Sequence, residues 1–261
     1  MCLLLVAYGV HPEYPLVVAG NRDEFHSRPT RDADWWQDQT DVLGGRDLEA
    51  GGSWLAINLK GRFAAVTNYR DRERPVGSKT SRGALISDFL ASDSDPAGWL
   101  TSIDAEAYAG FNLLVADNER LGYLSNRGGG CRELEPGIYG VANATLDTPW
   151  PKVVRTRASF EAALSKDTVE IRELLSLLAD RRLADPEELT KGDLPLEDTH
   201  RLSSPFVSAG EFGTRSSTVL LKRSDGSVLF TEERFDAAGE HTGLSEFRFA
   251  IDAGAEIPQA L

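Results

Sequence analysis

Cysteine is scarce in this 261-residue chain: Cys2 and Cys131 are the only two. Two thiols cannot build a disulfide framework, and a reducing cytosol is their natural compartment. Histidine is scarce as well. His11, His26, His200 and His241 are scattered, and no CxxC or HExxH spacing accompanies them, which argues against a structural zinc site. Positive charge is in short supply, with 28 Lys and Arg against 41 Asp and Glu, a formal charge of −13. Phosphate backbones need clustered Lys and Arg, so nucleic acid is excluded as a partner and anionic membrane surfaces are disfavoured. Long apolar runs are missing too. The opening run, Leu3 to Tyr8, is too short to span a bilayer and no basic segment precedes it, so neither a signal peptide nor a membrane helix is expected. Internal repeats and low-complexity linkers are also lacking, and one domain over residues 1–261 is expected.

What is present starts at the first residues. Apolar content of 41% with 26% charged residues is ordinary for a globular chain able to bury a core. Leu3 to Tyr8 does not alternate, which suggests a strand covered on both faces. Chain termini normally fray at the surface, so a cysteine heading such a strand is unusual. With Met1 removed, Cys2 carries a thiol and a free amine on adjacent carbons. That pairing is the logic of N-terminal nucleophiles, in which the amine serves as base for its own thiol. The alternative is a small buried hydrophobe with no chemistry.

Farther along, residues 11–15 form a Pro-containing turn, and 16–20 a second strand that runs into Asn21-Arg22-Asp23-Glu24. Polar residues at a buried strand end are costly unless paired or used. Residues 28–39, with Trp35-Trp36, are expected to cross the surface or a cleft mouth. The glycines of Leu43-Gly44-Gly45-Arg46-Asp47 and Gly51-Gly52-Ser53-Trp54 lack GxGxxG or P-loop spacing and fit tight turns or close backbone approach. Residues 54–58 and 62–67 read as a hairpin ending in Asn68-Tyr69-Arg70, followed by a charged Pro/Gly loop over 71–79. A helix is expected over 81–91 and a short one near 97–103, then a hairpin of 111–116 with 120–126, a glycine turn at 127–130 and a strand at 138–143. Asp147-Thr148-Pro149 opens a helix, and Asp167 with Glu170 suggests a capping box for the next. Residues 185–205 read as a polar loop with lid character, before strands at 217–222, 228–235 and 247–251. Two central helices between two sets of strands, with strand at both termini and many hairpin connections, predict an α+β fold. A four-layer αββα sandwich of mostly antiparallel sheets fits this order, as does a two-layer arrangement.

Three strand ends carry a polar signature: Asn21-Arg22-Asp23-Glu24, Thr67-Asn68-Tyr69-Arg70 and Ala142-Asn143. Gly213-Thr214-Arg215-Ser216, before the strand at 217, is a fourth. If these ends meet at Cys2, the site holds the inventory of acyl transfer: a nucleophile, a carboxylate to orient the amine, and amide donors for an oxyanion. The competing reading makes Asn68 and Asn143 simple turn formers.

These segments, with Ser81-Arg82-Gly83, Gly137-Ile138-Tyr139-Gly140, Pro149-Trp150-Pro151-Lys152-Val153 and the run Gly213 to Val219, resemble the NRDE-motif family. It is also called the transport and Golgi organisation protein 2 family, and the resemblance extends from residue 1 to about 235. It implies an N-terminal nucleophile hydrolase-like αββα architecture. A weaker resemblance to the choloylglycine hydrolase and penicillin V acylase group implies roles for Cys2, Arg22, Asp23, Asn68, Asn143 and Arg215. Here Arg22 and Asp23 are adjacent where those hydrolases separate the pair. Neighbours on a strand face opposite ways, so both enter one site only where the strand bends or ends. The hydrolase reading makes Cys2, Asp23, Asn68, Asn143 and Arg215 catalytic, with Arg22 and Trp54 binding a small acyl substrate and no cofactor required. Family members in eukaryotes are linked to haem trafficking and acyl-lipid metabolism. The second reading implied is therefore a non-catalytic carrier of haem or acyl lipid, although no haem-attachment CxxCH occurs.

Overall fold

The computed structural model describes residues 2–70, 80–189 and 196–251. Its strands and helices, in chain order, are β1 (Leu3–Tyr8), β2 (Leu16–Phe25), β3 (Thr30–Trp35), β4 (Val42–Asp47), β5 (Leu55–Asn58), β6 (Phe63–Asn68), α1 (Ala84–Ala91) and α2 (Pro96–Ser102). There follow β7 (Phe111–Ala116), β8 (Leu121–Ser125), β9 (Gly130–Leu134), β10 (Gly137–Val141), α3 (Pro151–Leu164) and α4 (Ile171–Leu178). The last are α5 (Leu196–Arg201), β11 (Ser208–Ala209), β12 (Phe212–Lys222), β13 (Ser227–Phe235) and β14 (His241–Ala250). Among the described residues they form two antiparallel sheets. The first has the order β10-β1-β2-β12-β13-β14, with β11 on β12, and the second runs from β3 to β9 in sequence order.

Alternation along β1 explains its unbroken apolar run. Leu4 and Val6 face the second sheet, in a core shared with Val18, Ile57, Phe63, Leu114 and Phe230. Leu5 and Ala7 face the other way, onto Phe160 of α3 and Leu174 and Leu178 of α4. The outer face of the second sheet packs Ala56, Val66 and Leu113 against Ile86 and Phe89 of α1 and Leu100 of α2. Three apolar cores in series mean four layers, α-β-β-α. Each fully buried Leu or Phe contributes about 1.5–3 kcal/mol.

Several boundaries differ from the sequence expectations. Residues 28–39 contain strand β3, which forms an edge and carries charge outward. The glycines at 44 and 45 lie within β4, and the expected glycine turn is present at 126–129 and leads into an unexpected edge strand, β9. The NRDE tetrapeptide is inside β2, and the segment 213–216 is inside β12. Asp147 does not start α3; it adopts φ 60° and its carboxylate accepts from Gly140 N, while Trp150 caps a helix that begins at Pro151. Glu170 stands at the start of α4 with no side-chain cap bond, so the expected capping box is not formed. Trp35 meets Phe249 edge-on at 5.2 Å, and Trp36 is buried with Nε1 donating to Gly44 O, so both are packing residues. The loop expected over 71–79 and residues 190–195 of the expected lid lie outside the described residues. The flanking part of that lid is tied inward, with Pro205 O accepting from Asn21 Nδ2 at 2.9 Å.

One close approach shapes the end of the sandwich. Gly52 and Gly83 touch backbone to backbone: a Cβ on Gly52 would lie 2.3 Å from the Gly83 carbonyl carbon and 2.5 Å from its oxygen. Only glycine permits this contact between the β4–β5 loop and the start of α1. Gly52→Ala should therefore lower stability by about 1–3 kcal/mol through forced separation of the two chains. A thermal midpoint equal to that of the parent would disprove the close contact.

Candidate active site

β1, β2 and β6 bring their ends to one edge of the sandwich, around a cavity of about 340 Å3. Cys2, half-buried at the head of β1, lines it together with Arg22, Asp23, Trp54 and Asn68. Four segments distant in sequence thus supply the five side chains. Arg22 and Asp23 both line the cavity although they are neighbours on β2, at the level where β12 bulges. Asp23 pairs with Thr214 and Arg22 with Ser216, leaving Arg215 as the extra residue of a bulge on β12. Bulges bend a strand and re-aim its side chains.

Each polar group has its own anchoring. Asp23 is 2% exposed and its Oδ1 accepts from Thr214 Oγ1 at 2.7 Å. Burial pushes its carboxyl above the ordinary range, against the opposing pull of Lys152 and the Thr214 hydrogen bond. Arg22, also buried, donates to Thr30 Oγ1 at 2.9 Å, stands 3.6 Å from Asp47 and lies over the Trp54 ring at 4.2 Å. Trp54 in turn lies over Gly45, where a Cβ would come within 2.1 Å of the indole. Asp47 is drawn down: burial raises its pKa, but hydrogen bonds from Arg28 and Ala50 N outweigh it.

Asn143 and Arg215 take different places from those expected. Asn143 is 3% exposed and is not among the residues lining the cavity; its Nδ2 donates to Asn68 O at 2.7 Å. It therefore fixes the main chain of Asn68 from behind. Arg215 points away from Cys2. Its Nη1 donates to Phe25 O and Arg28 O, and it lines a neighbouring pocket, because the bulge turns it outward.

Lys152 was given no role from sequence. It is 1% exposed near the start of α3, and its Nζ has no hydrogen-bond partner among the described residues. Burial lowers its pKa, while the nearby Asp23 carboxylate raises it. A signal existed: a lysine in the first turn of a helix opposes the macrodipole and is there for a reason other than helix stability. Its neighbour Val153 packs on Leu3 and Ala142, which holds the amine under the Cys2 end of β1. Among the described residues, no group of three His, Cys, Asp or Glu is arranged to hold a metal ion.

The α-β-β-α layer order of two antiparallel sheets is that of the N-terminal nucleophile hydrolase fold. A conjugated bile acid hydrolase variant from Clostridium perfringens shares that fold with a TM-score of 0.50 at 10% identity, over 98% of this chain and 99% of that one. The chain itself belongs to the Transport and Golgi organisation 2 family, whose profile matches residues 1–237. The Transport and Golgi organization protein 2 homolog of Bos taurus is 36% identical over 95% of this chain and 99% of that protein. The Homo sapiens homolog is 35% identical over 97% and 100%, and the Drosophila melanogaster protein 28% over 92% and 94%.

Replacing Lys152 by Met removes the buried positive charge that works against the rise in the Asp23 pKa. In the variant the Asp23 carboxyl should titrate higher by carbon NMR because one opposing charge is gone. An unmoved Asp23 titration would show that the two groups do not interact.

Proposed function

We propose that this chain, once Met1 is removed, is an N-terminal cysteine amidohydrolase acting on a small acyl amide or ester. One observation carries the reading: Cys2, Asp23 and Asn68 line a single cavity although they come from separate strands. The Cys2 thiolate attacks the acyl carbonyl carbon after passing its proton to the Cys2 α-amine. The carbonyl oxygen takes the negative charge and accepts a hydrogen bond from the Asn68 side-chain amide. Collapse of this intermediate breaks the bond to the leaving amine or alcohol, which takes the proton from the α-ammonium. Water then attacks the Cys2 thioester, releasing the acid and restoring the thiol. Asp23 steadies the α-ammonium, and Lys152 opposes the effect of burial on Asp23, favouring its ionised form. Asn143 acts as a positioning residue for Asn68.

The walls favour a polar substrate. Arg22, Asp23, Glu24, Arg28 and Asp47 line the cavity, whereas an apolar slot suits a haem or acyl chain. None of the four histidines is among its lining residues. Carriage of haem or acyl lipid therefore fits these residues poorly. No helix among the described residues is long and apolar enough to cross a membrane. Two free cysteines, one of them exposed, suit a cytoplasmic setting within this proposal.

The test combines mass and turnover. Intact mass of the protein made in cells should lack Met1, and a panel of acyl amides and esters should yield hydrolysis that Cys2→Ala lowers by about 10^3-fold or more. Circular dichroism of that variant should match the parent. Quantitative retention of Met1, or turnover that survives Cys2→Ala, would sink the proposal.

A further inference from the structure

On the far side of Arg22 and Trp54 from Cys2 lies a second pocket of about 210 Å3. Its floor is a row across three strands of the first sheet. Register places Ser216 of β12 opposite Arg22 of β2 on one side and Arg234 of β13 on the other. Adjacent strands are ~4.8 Å apart, so two guanidinium-bearing side chains flank one hydroxyl. All three side chains face the second sheet: Arg22 reaches Trp54, Arg234 pairs with Asp32 of β3 at 3.1 Å, and Ser216 is in phase with inward Thr218 and Leu220. Ser216 is 4% exposed, and its Oγ has no hydrogen-bond partner among the described residues. A buried hydroxyl without a partner in a native pocket needs an explanation. Arg215 lines the same pocket, so three guanidinium groups gather in a chain whose formal charge is −13.

We propose that this pocket binds a small oxyanion, the carboxylate or tetrahedral anionic group of a metabolite, with Ser216 Oγ donating to it between Arg22 and Arg234. Arginine forks match such anions in geometry and charge. Because Arg22 and Trp54 also wall the Cys2 cavity, a ligand held here borders that cavity without entering it. The site stands whether or not Cys2 is a nucleophile.

Glu232, one row deeper on β13, makes the site sensitive to pH. It is 2% exposed; Oε1 accepts from Ala33 N at 2.9 Å and Oε2 from Thr218 Oγ1 at 3.4 Å. Burial pushes its carboxyl up to about 7, eased by the Ala33 bond, Arg234 and Arg22 and reinforced by Asp32. Ser245 of β14 lies opposite in register. As pH rises through about 7, Glu232 loses its proton and adds a negative charge beside the anion, so affinity falls.

The experiment uses the full chain, amide NMR, and sodium sulfate or sodium acetate at constant ionic strength. Both probes keep their charge from pH 6 to 8, so any pH effect belongs to the protein. Saturable shifts at Ser216 and Arg234 in the millimolar range are expected from at least one probe. Sulfate alone identifies a tetrahedral ligand, and acetate alone a carboxylate. Ser216→Ala should weaken binding roughly tenfold, Glu232→Gln should flatten the pH dependence, and Cys2→Ala should change neither. Arg234→Gln should likewise weaken binding, and if it fails to fold, Ser216→Ala decides. Absence of saturation with both probes, or full affinity in Ser216→Ala, overturns the site.

Discussion

The open end of the sandwich depends on a short stretch of chain, Ala142 to Ala144, held across both sheets. Leaving β10 of the first sheet, it meets the ends of β6 and β7 in the second. Ala142 O accepts from Thr67 Oγ1 at 2.8 Å, Asn143 O from Arg70 N at 2.9 Å, and Ala144 O from Asn112 Nδ2 at 2.8 Å. Tyr123 extends the network, donating to Asn112 Oδ1 and accepting from Leu146 N. Each bond contributes only about 1 kcal/mol net, but the groups are buried, and losing one partner strands the other. The sheets are thus fixed where Asn68 and Cys2 face the cavity. Polar links also tie the sheets elsewhere, from Arg22 to Thr30, from Glu232 and Arg234 to β3, and from Lys222 to Gly61 O and Asn118, around the apolar core between them.

At that fixed end the chain buries charge at a cost to stability. Asp23, Arg22 and Lys152 are each nearly inaccessible, and isolated buried charges are expensive. They are tolerable because they oppose one another: Lys152 works against the rise in the Asp23 pKa, and Asp23 against the fall in that of Lys152. A core built for stability alone would place apolar side chains here, as the remaining length of β1 does. Concentration of strained titration behaviour at one cleft is characteristic of a functional site.

Which features could be read from sequence follows from where the apolar residues lie. β1, the β5–β6 and β7–β8 hairpins and the helical faces announce themselves because both their neighbours and their periodicity are apolar. β3 and β9 were missed because they are the edges of the second sheet and carry charge or glycine where inner strands carry Val and Leu. β14, the edge of the first sheet, was read short for the same reason: only Phe247 and Phe249 are buried along it. Cys2, Asp23 and Asn68 were found together because polar residues closing apolar strands are conspicuous. Arg215 was misplaced because a bulge leaves no trace in a two-residue alternation. Lys152 was overlooked because it sits in a helix whose other features are ordinary. Glu232 shares the inward phase of Val228 and Phe230, a clue that strand periodicity does contain.

The bulge on β12 has a consequence for how this strand tolerates change in length. Between Phe212 and Thr214 the strand pairs in one phase with β2, and from Ser216 to Lys222 in the other. Deleting Arg215 would close the ladder into a regular one with Thr214 still opposite Asp23 and Ser216 still opposite Arg22, so what the deletion removes is the bulge and the guanidinium it presents. The odd residue is a phase shifter: it lets Thr214 and Ser216, two apart on β12, meet adjacent residues of β2 on opposite faces.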